Sequence, residues 1–414
     1  MDYLTDQLIP YIGNKRKLLP LIRQAIEIAL DQGSVSGTML RGGRSPEAPC
    51  RSAIFCDFFA GSGVVSRLAK TMGFRVIAND WEPYSEVINR AYIATNVPPP
   101  FAGLGGMESA FAALNSLPGK RGYIATHYCP ADDENYDTQR ERMFYTQQNG
   151  RRIDAIREQI AAWRECGAID PTEEAVLLAP LIYQASYCSN TSGVFKGFHK
   201  GWGGATKTAW YRIRSFLTIR PPALFDNGAE NIVTREDASQ LAERIECDIA
   251  YIDPPYNQHQ YGANYHLLNT VALWDKPPIS PFISGNGARD KAAIRNDWRT
   301  LRRSPYCYRS TALEAFKGLL DRVRARWVLV SYSTDGIIDA GELLRSLAER
   351  GSLRVVRKHY KRYRVRSQRP SPRPHTVEFV AIVDTNRPCR QEELSRAVEE
   401  IARSEERSLC LSGL

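Results

Sequence analysis

Asp253-Pro254-Pro255-Tyr256 follows directly on the apolar run Ile249-Ala250-Tyr251-Ile252. A strand that stops at an acid, two prolines and an aromatic gains little stability from them. Neither proline donates a backbone hydrogen bond, and each disfavours helix at the residue before it. Their carbonyls are left to accept hydrogen bonds beside a carboxylate and a ring. Such a site suits an exocyclic amine whose planar ring stacks on Tyr256. Cytosine and adenine carry that amine, and it becomes reachable once the base is flipped out of a duplex. For the four residues alone, the alternative is a Pro-Pro turn with Asp253 as a local cap.

A second group of residues could hold a nucleotide-like cofactor. Asp57 closes a strand, and Phe59-x-Gly61-x-Gly63 leads from it into a helix. Glycines there let backbone approach a ligand at the carboxyl end of the strand. Ser66 stands where a dinucleotide fingerprint has its third glycine, so a tight turn explains the motif equally well. Asp80 follows about twenty residues after the glycines, where nucleotide-binding α/β domains place the acid that bonds ribose hydroxyls. Trp81 beside it could cover an adenine face. These features serve an NAD dehydrogenase or an S-adenosylmethionine enzyme alike. Asp253 to Tyr256 break the tie, because a dehydrogenase needs no acceptor pocket for a base.

The elements that must position these residues are legible in outline. A helical pattern runs through Leu18, Leu19, Leu21, Ile22, Ile26, Ala29 and Leu30. Residues 31–50, rich in Gly, Ser, Arg and Pro, read as a surface loop. Strands at 53–57 and 74–78 flank a helix at 64–72, which makes a βαβ unit. Pro98-Pro99-Pro100 marks a boundary. Helical stretches at 139–163 and 172–187 then dominate until strand signals return at 231–233 and 248–252. The expected architecture is a Rossmann-like α/β domain formed by 1–98 and 231–385, interrupted by a mainly helical insertion at 101–230. A helix at 312–324, a strand at 327–333 and a helix at 340–349 continue the α/β part. Strands near 353–363 and 376–383 should pair antiparallel at the sheet edge. The segment 386–414 reads as a polar helical tail.

Composition narrows the class. Of the 414 residues, 43% are hydrophobic, which fits a globular chain. The formal net charge of +9 suits an anionic partner, nucleic acid first. The nine cysteines include no C-x-x-C pair, so neither a zinc site nor a redox motif is supported, and they read as reduced cytoplasmic thiols. The first ten residues lack a basic region before an apolar core, and no apolar run is long enough to cross a bilayer.

Phe59-x-Gly61-x-Gly63, then an insertion, then Asp253-Pro254-Pro255-Tyr256 together resemble the alpha class of DNA amino-methyltransferases, the Dam-type adenine-N6 enzymes. Tyr11-Ile12-Gly13-Asn14-Lys15 is similar to that family's opening motif, and the resemblance covers most of residues 8–385. It implies a site-specific enzyme using S-adenosylmethionine, a flipped adenine in duplex DNA, and no metal, since the sulfonium already carries a good leaving group. Asp-Pro-Pro-Tyr rather than Ser-Pro-Pro-Tyr favours adenine N6 over cytosine N4. Asp253 and the Pro254 carbonyl would accept from the amino group, with Pro255 and Tyr256 completing the loop. Tyr11, Phe59, Gly61 and Gly63 would line the cofactor, Asp57 would close the strand beneath it, Asp80 and Trp81 would hold its ribose and base, and Lys15 would lie near its methionine end. Asp237 falls where the family places an acid near the cofactor's adenine. It also fits a helix N-cap. Residues 257–266 resemble members associated with restriction-modification systems, which points to the cytoplasm or nucleoid of a prokaryote or phage.

Two segments are expected to touch DNA. In Ser189–Gly204, Phe195, Phe198 and Trp202 alternate with Lys196, His199 and Lys200 among glycines. That composition suits backbone contact and base wedging, or else an internal loop docked on the core. Residues 354–373 carry nine basic residues, among them Arg362, Arg364 and Arg366, and no acid. They read as a phosphate-gripping hairpin. An RNA adenine-N6 enzyme, a DNA cytosine-N4 enzyme and a non-catalytic nucleic-acid-binding scaffold stay open, as does monomer versus dimer.

Overall fold

The computed structural model describes residues 2–32, 53–205, 207–285, 288–299, 301–361 and 375–410. Its seven strands are β1 (Ile54–Asp57), β2 (Arg75–Asn79), β3 (Ile232–Thr234), β4 (Glu246–Ile252), β5 (Arg324–Ser333), β6 (Ser352–Lys361) and β7 (His375–Asp384). They form one sheet in the order β3-β2-β1-β4-β5-β7-β6. The pairs from β3 across to β5 are parallel, and β7 runs antiparallel between β5 and β6. This is the mixed α/β sheet expected of a Rossmann-like methyltransferase.

Both faces of the sheet are covered, which is why the inner strands read as nearly continuous apolar runs. Alternate residues point to opposite sides. Phe55, Val76, Ile249, Tyr251 and Leu329 pack beneath the helices Leu19–Gln32 and Val64–Thr71. Cys56, Ile77, Ala250, Ile252, Val328 and Val330 pack beneath Ala238–Arg244, Ala312–Arg322 and Ala340–Ala348. The C-terminal segment is more than a polar tail. The helix Gln391–Cys410 buries Ala397 and Ile401 in this second core, with Leu394 and Val398 beside them. Positions 394, 397, 398 and 401 form one helical stripe.

Between β2 and β3 the chain builds the helical unit. Its long helices, Gln147–Glu165 and Pro171–Tyr187, are started by side chains that satisfy free backbone amides. Thr146 accepts from the Asn149 amide, and Asp170 with Glu173 forms a capping box. The core of this unit also takes Tyr84 and Tyr92 from the segment after β2, and Tyr265, Leu267, Leu268 and Val271 from beyond the Asp-Pro-Pro-Tyr loop. The insertion therefore shares its core with segments outside 101–230. No helix among the described residues is long and apolar enough to cross a membrane.

Candidate active site

The chain leaves β1 towards β2 on one side, while β4 flanks β1 on the other. A ligand crevice opens at the carboxyl ends of strands where the order reverses in this way. Asp57 ends β1, and Asp253 follows the last residue of β4. A cavity of about 810 Å³, its open mouth included, lies over these ends. Its wall takes Phe58 and Phe59 after β1, Asn79 to Glu82 after β2, Glu236 to Ala238 after β3, and Asp253 to Tyr256 after β4. Tyr11, Tyr261, Arg302 and Tyr306 are among the other residues on it. Four parallel strands thus deliver aromatic faces and carboxylates to one hollow.

The glycines act behind this wall. Gly63 precedes the helix Val64–Thr71 with φ +76°, and a Cβ there would lie 2.5 Å from Oδ1 of Asn89. Gly61 has φ +53°, and a Cβ there would lie 2.9 Å from the Tyr11 ring. Asp80 ties the turn down, its Oδ2 accepting from the Gly61 amide at 2.7 Å and its Oδ1 from the Glu82 amide at 2.9 Å. Asp57 is buried below, accepting from the Ser66 hydroxyl at 2.7 Å and the Phe59 amide at 3.3 Å. Burial, with Asp253 adding to it, pushes its carboxyl up to about 7. Gly61, Gly63 and Asp57 shape the turn, while Phe59, Asp80, Trp81 and Asp237 face the cavity. Asp237 also caps the helix Ala238–Arg244 through the Ser239 amide at 2.8 Å, so the cap and a place on the cavity wall coexist.

Lys15 is drawn to the end of β4 and lines a second cavity. Its Nζ is 2.9 Å from Oδ1 of Asp253, an ion pair whose angles fall short of a hydrogen bond, and sits 4.9 Å from the centre of the Tyr256 ring. The residues that bring it there follow the Asp-Pro-Pro-Tyr loop. The Tyr265 hydroxyl accepts from the Ile12 amide at 2.8 Å, the Tyr261 hydroxyl donates to the Ile12 carbonyl at 3.1 Å, and Tyr11 stacks on Tyr265. Burial works against the Lys15 ammonium, but Asp253, Tyr256 and Glu378 outweigh it and hold its pKa well above the ordinary value. Burial raises Asp253 above the ordinary carboxylate range, and Lys15 counters that rise.

Tyr256, with Tyr11, Ile12 and Gly13, lines both the first cavity and the second, wider one of about 1460 Å³. The second is lined by Lys15, Ser192 to Val194, Tyr256, Ser333, Tyr360, Thr376 and Glu378, among others. The Tyr256 ring meets Tyr332 edge-on, and its carbonyl accepts from the Ile337 amide at 3.0 Å, so two contacts fix the loop.

Some residues on the cavities lie outside the sequence motifs. Glu82 is buried on the first cavity, accepting from Asn269 at 2.5 Å and paired with Arg302 at 3.2 Å. Burial pushes it up to about 6 against the pull of Arg302. Its place two residues after Asp80 was the available clue. Arg302 comes from a basic stretch with no motif, and Glu378 from the middle of β7.

The residues expected on DNA separate. Phe195 and Trp202 are buried: Phe195 stacks near Phe144, and the Trp202 indole donates to the Asp133 carbonyl at 2.8 Å. For these two the docked-loop alternative holds, because large rings gain more from the core than from water. Phe198 packs edge-on against Phe144 and is partly buried, as are Lys196 and His199; Lys200 is exposed. Arg362, Arg364 and Arg366 lie outside the described residues. A nearby segment that drew no attention in the sequence is open to solvent. Trp210, Tyr211 and Phe216 are exposed, Tyr211 at 80%, and alternate with Arg212 and Arg214.

A mostly parallel sheet of this order, with an acid and two prolines following its fourth strand, defines an amino-methyltransferase architecture. Residues 11–281 match the family model described as D12 class N6 adenine-specific DNA methyltransferase. The type II methyltransferase M.NlaIII of Neisseria lactamica is 33% identical over 389 residues, covering 90% of this chain and 98% of that protein. The modification methylase StsI of Streptococcus sanguinis is 30% identical over 361 residues, 85% of this chain and 48% of that one. The type II methyltransferase M.FokI of Planomicrobium okeanokoites is 30% identical over 374 residues, 89% and 52%. The chain spans about half the length of the latter two. It belongs to the D12 class of N6-adenine-specific DNA methyltransferases.

Proposed function

We propose that the first cavity holds S-adenosylmethionine and that a flipped adenine of duplex DNA enters the second, the two meeting at Asp253 to Tyr256. The observation that carries this is the position of Asp253. It follows β4 on the wall of the first cavity, with a buried ammonium on one oxygen, and Tyr256 three residues on lines both cavities.

The first cavity fits the cofactor. Phe59, Trp81 and Tyr306 offer apolar faces, and Asp80, Glu82 and Asp237 offer acceptors for hydroxyl and amino groups. When bound there, the cofactor supplies a methyl group on a positively charged sulfur. The chain's own residues do the rest. Asp253 and the Pro254 carbonyl accept the two amine hydrogens and aim the nitrogen lone pair. Tyr256 stacks on the base and holds it out of the duplex. The surrounding rings exclude water. Such alignment supplies on the order of 7–11 kcal/mol over free reactants.

The helical unit serves as the target-recognition domain, with Lys196, Phe198, His199 and Lys200 and the exposed Trp210-to-Phe216 segment as its DNA-facing candidates. The relatives named as type II and modification enzymes favour a protective role beside a restriction enzyme. Asp253→Ala tests the site. Methyl transfer should fall by at least about a hundredfold, as for loss of other preorganised polar groups, while calorimetry still shows cofactor binding. Activity within a few-fold of wild type would remove Asp253 from the mechanism.

A further inference from the structure

Glu378 stands in the middle of β7, opposite Ser333 of β5 and Lys358 of β6. It is 6% exposed, and its Oε2 is buried without a hydrogen-bond partner among the described residues. It lines the second cavity together with Lys15, Tyr256 and Tyr360. An unpaired carboxylate oxygen in such a place is costly unless a charge faces it. Lys358 across the ladder is directed elsewhere, its Nζ donating to the Lys17 carbonyl at 3.3 Å. Lys15 lines the same cavity and favours the Glu378 carboxylate electrostatically, while its ion pair, at 2.9 Å, is with Asp253. One buried ammonium is therefore paired with Asp253 and shares a cavity wall with a second buried carboxylate.

We propose that Glu378 is a positioning residue for methyl transfer, holding the Lys15 ammonium in common with Asp253 and taking it over when the target amine claims the Asp253 oxygen. This rests on the reading of Asp253 as the acceptor of that amine. With Lys15 on Oδ1, a target amine has to share the Asp253 carboxylate with an ammonium. A lysine bound to Asp253 alone would oppose the substrate, whereas one with a second anchor yields its place at little cost. The other groups facing Glu378 are Asp335, Tyr256, Tyr360 and the Ser333 hydroxyl. Burial, the Asp253 charge and Asp335 raise its pKa, while Lys15 and Ser333 oppose the rise.

The test measures kcat and KM against pH for wild type, E378Q and E378D on one unmethylated duplex, with cofactor affinity measured in parallel. E378Q removes an anion near Asp253 and leaves Lys15 on Asp253 alone. Both effects favour the Asp253 carboxylate, so the acid limb of its kcat profile should move to lower pH. Its kcat should also fall by the order of ten- to a hundredfold expected of a displaced reacting group. E378D keeps the charge and should keep the limb at its wild-type position. If E378Q does not fold, S333A removes the hydroxyl that favours the charged form of Glu378 and should move the limb the same way by less. An acid limb unmoved in E378Q, or in S333A where that replaces it, overturns the proposal whatever the rate. A wild-type protein that methylates no DNA overturns both it and the reading on which it rests.

Discussion

Asp57 sits buried at the end of β1, with a Ser66 hydroxyl on one oxygen and the Phe59 amide on the other. Its folded pKa, about 7 against an ordinary 3.8, has a consequence for stability. Between those values the folded protein keeps a proton that the unfolded chain has released, so this group's contribution falls as pH rises from about 4 to about 7. At 1.36 kcal/mol per unit, the loss is up to about 4 kcal/mol. Asp57→Asn keeps the shape and removes the titration. In urea unfolding across that window, wild type should lose stability relative to the variant as pH rises; parallel curves would show that Asp57 does not titrate there. Among site residues, those within contiguous motifs were legible: Asp253 and Tyr256 beyond β4, and Asp80 with Trp81 beyond β2. Glu82, Arg302 and Glu378 were not. Their role comes from contacts such as Arg302 with Glu82, 220 residues apart, for which no local pattern exists. Lys15 was legible by its motif, but its ion pair with Asp253 was not, because a motif does not say which neighbouring charge the fold will bring to it.

At the scale of elements, the turn from β1 into the helix Val64–Thr71 sets the cavity floor. Gly63 and Gly73 both have positive φ, yet only Gly63 is crowded, since nothing lies within 4 Å of a Cβ at Gly73. Gly73→Ala should cost about 1–2 kcal/mol, the left-handed penalty alone. Gly63→Ala should cost clearly more and should also weaken cofactor binding, because Asn89 or the turn must move. Equal losses in thermal unfolding would mean that the Asn89 contact relaxes freely. The parallel strands and their helices were legible because period and turn signals agreed. The C-terminal helix was read as polar because its stripe is narrow and charges surround it. The aromatic loop at 189–204 misled for the opposite reason: rings among lysines look like a DNA surface, yet Phe195 and Trp202 serve the helical core.

For the whole molecule, the net charge of +9 has to meet the phosphates of a duplex. Replacing Arg362, Arg364 and Arg366 together by neutral residues should reduce the salt slope of DNA binding by up to about 0.9 per lost phosphate contact. An unchanged slope would assign that run to a solvated face. The presence of an insertion was legible from the shift to helix after Pro98-Pro99-Pro100. Its core was not, because Tyr265 to Val271 join it from beyond the catalytic loop. The most direct test of the central claim is nucleoside mass spectrometry on unmethylated duplex DNA after incubation with the protein and S-adenosylmethionine. N6-methyladenine is the predicted product. N4-methylcytosine, or no methylated base from folded protein across varied duplex sequences, would contradict it.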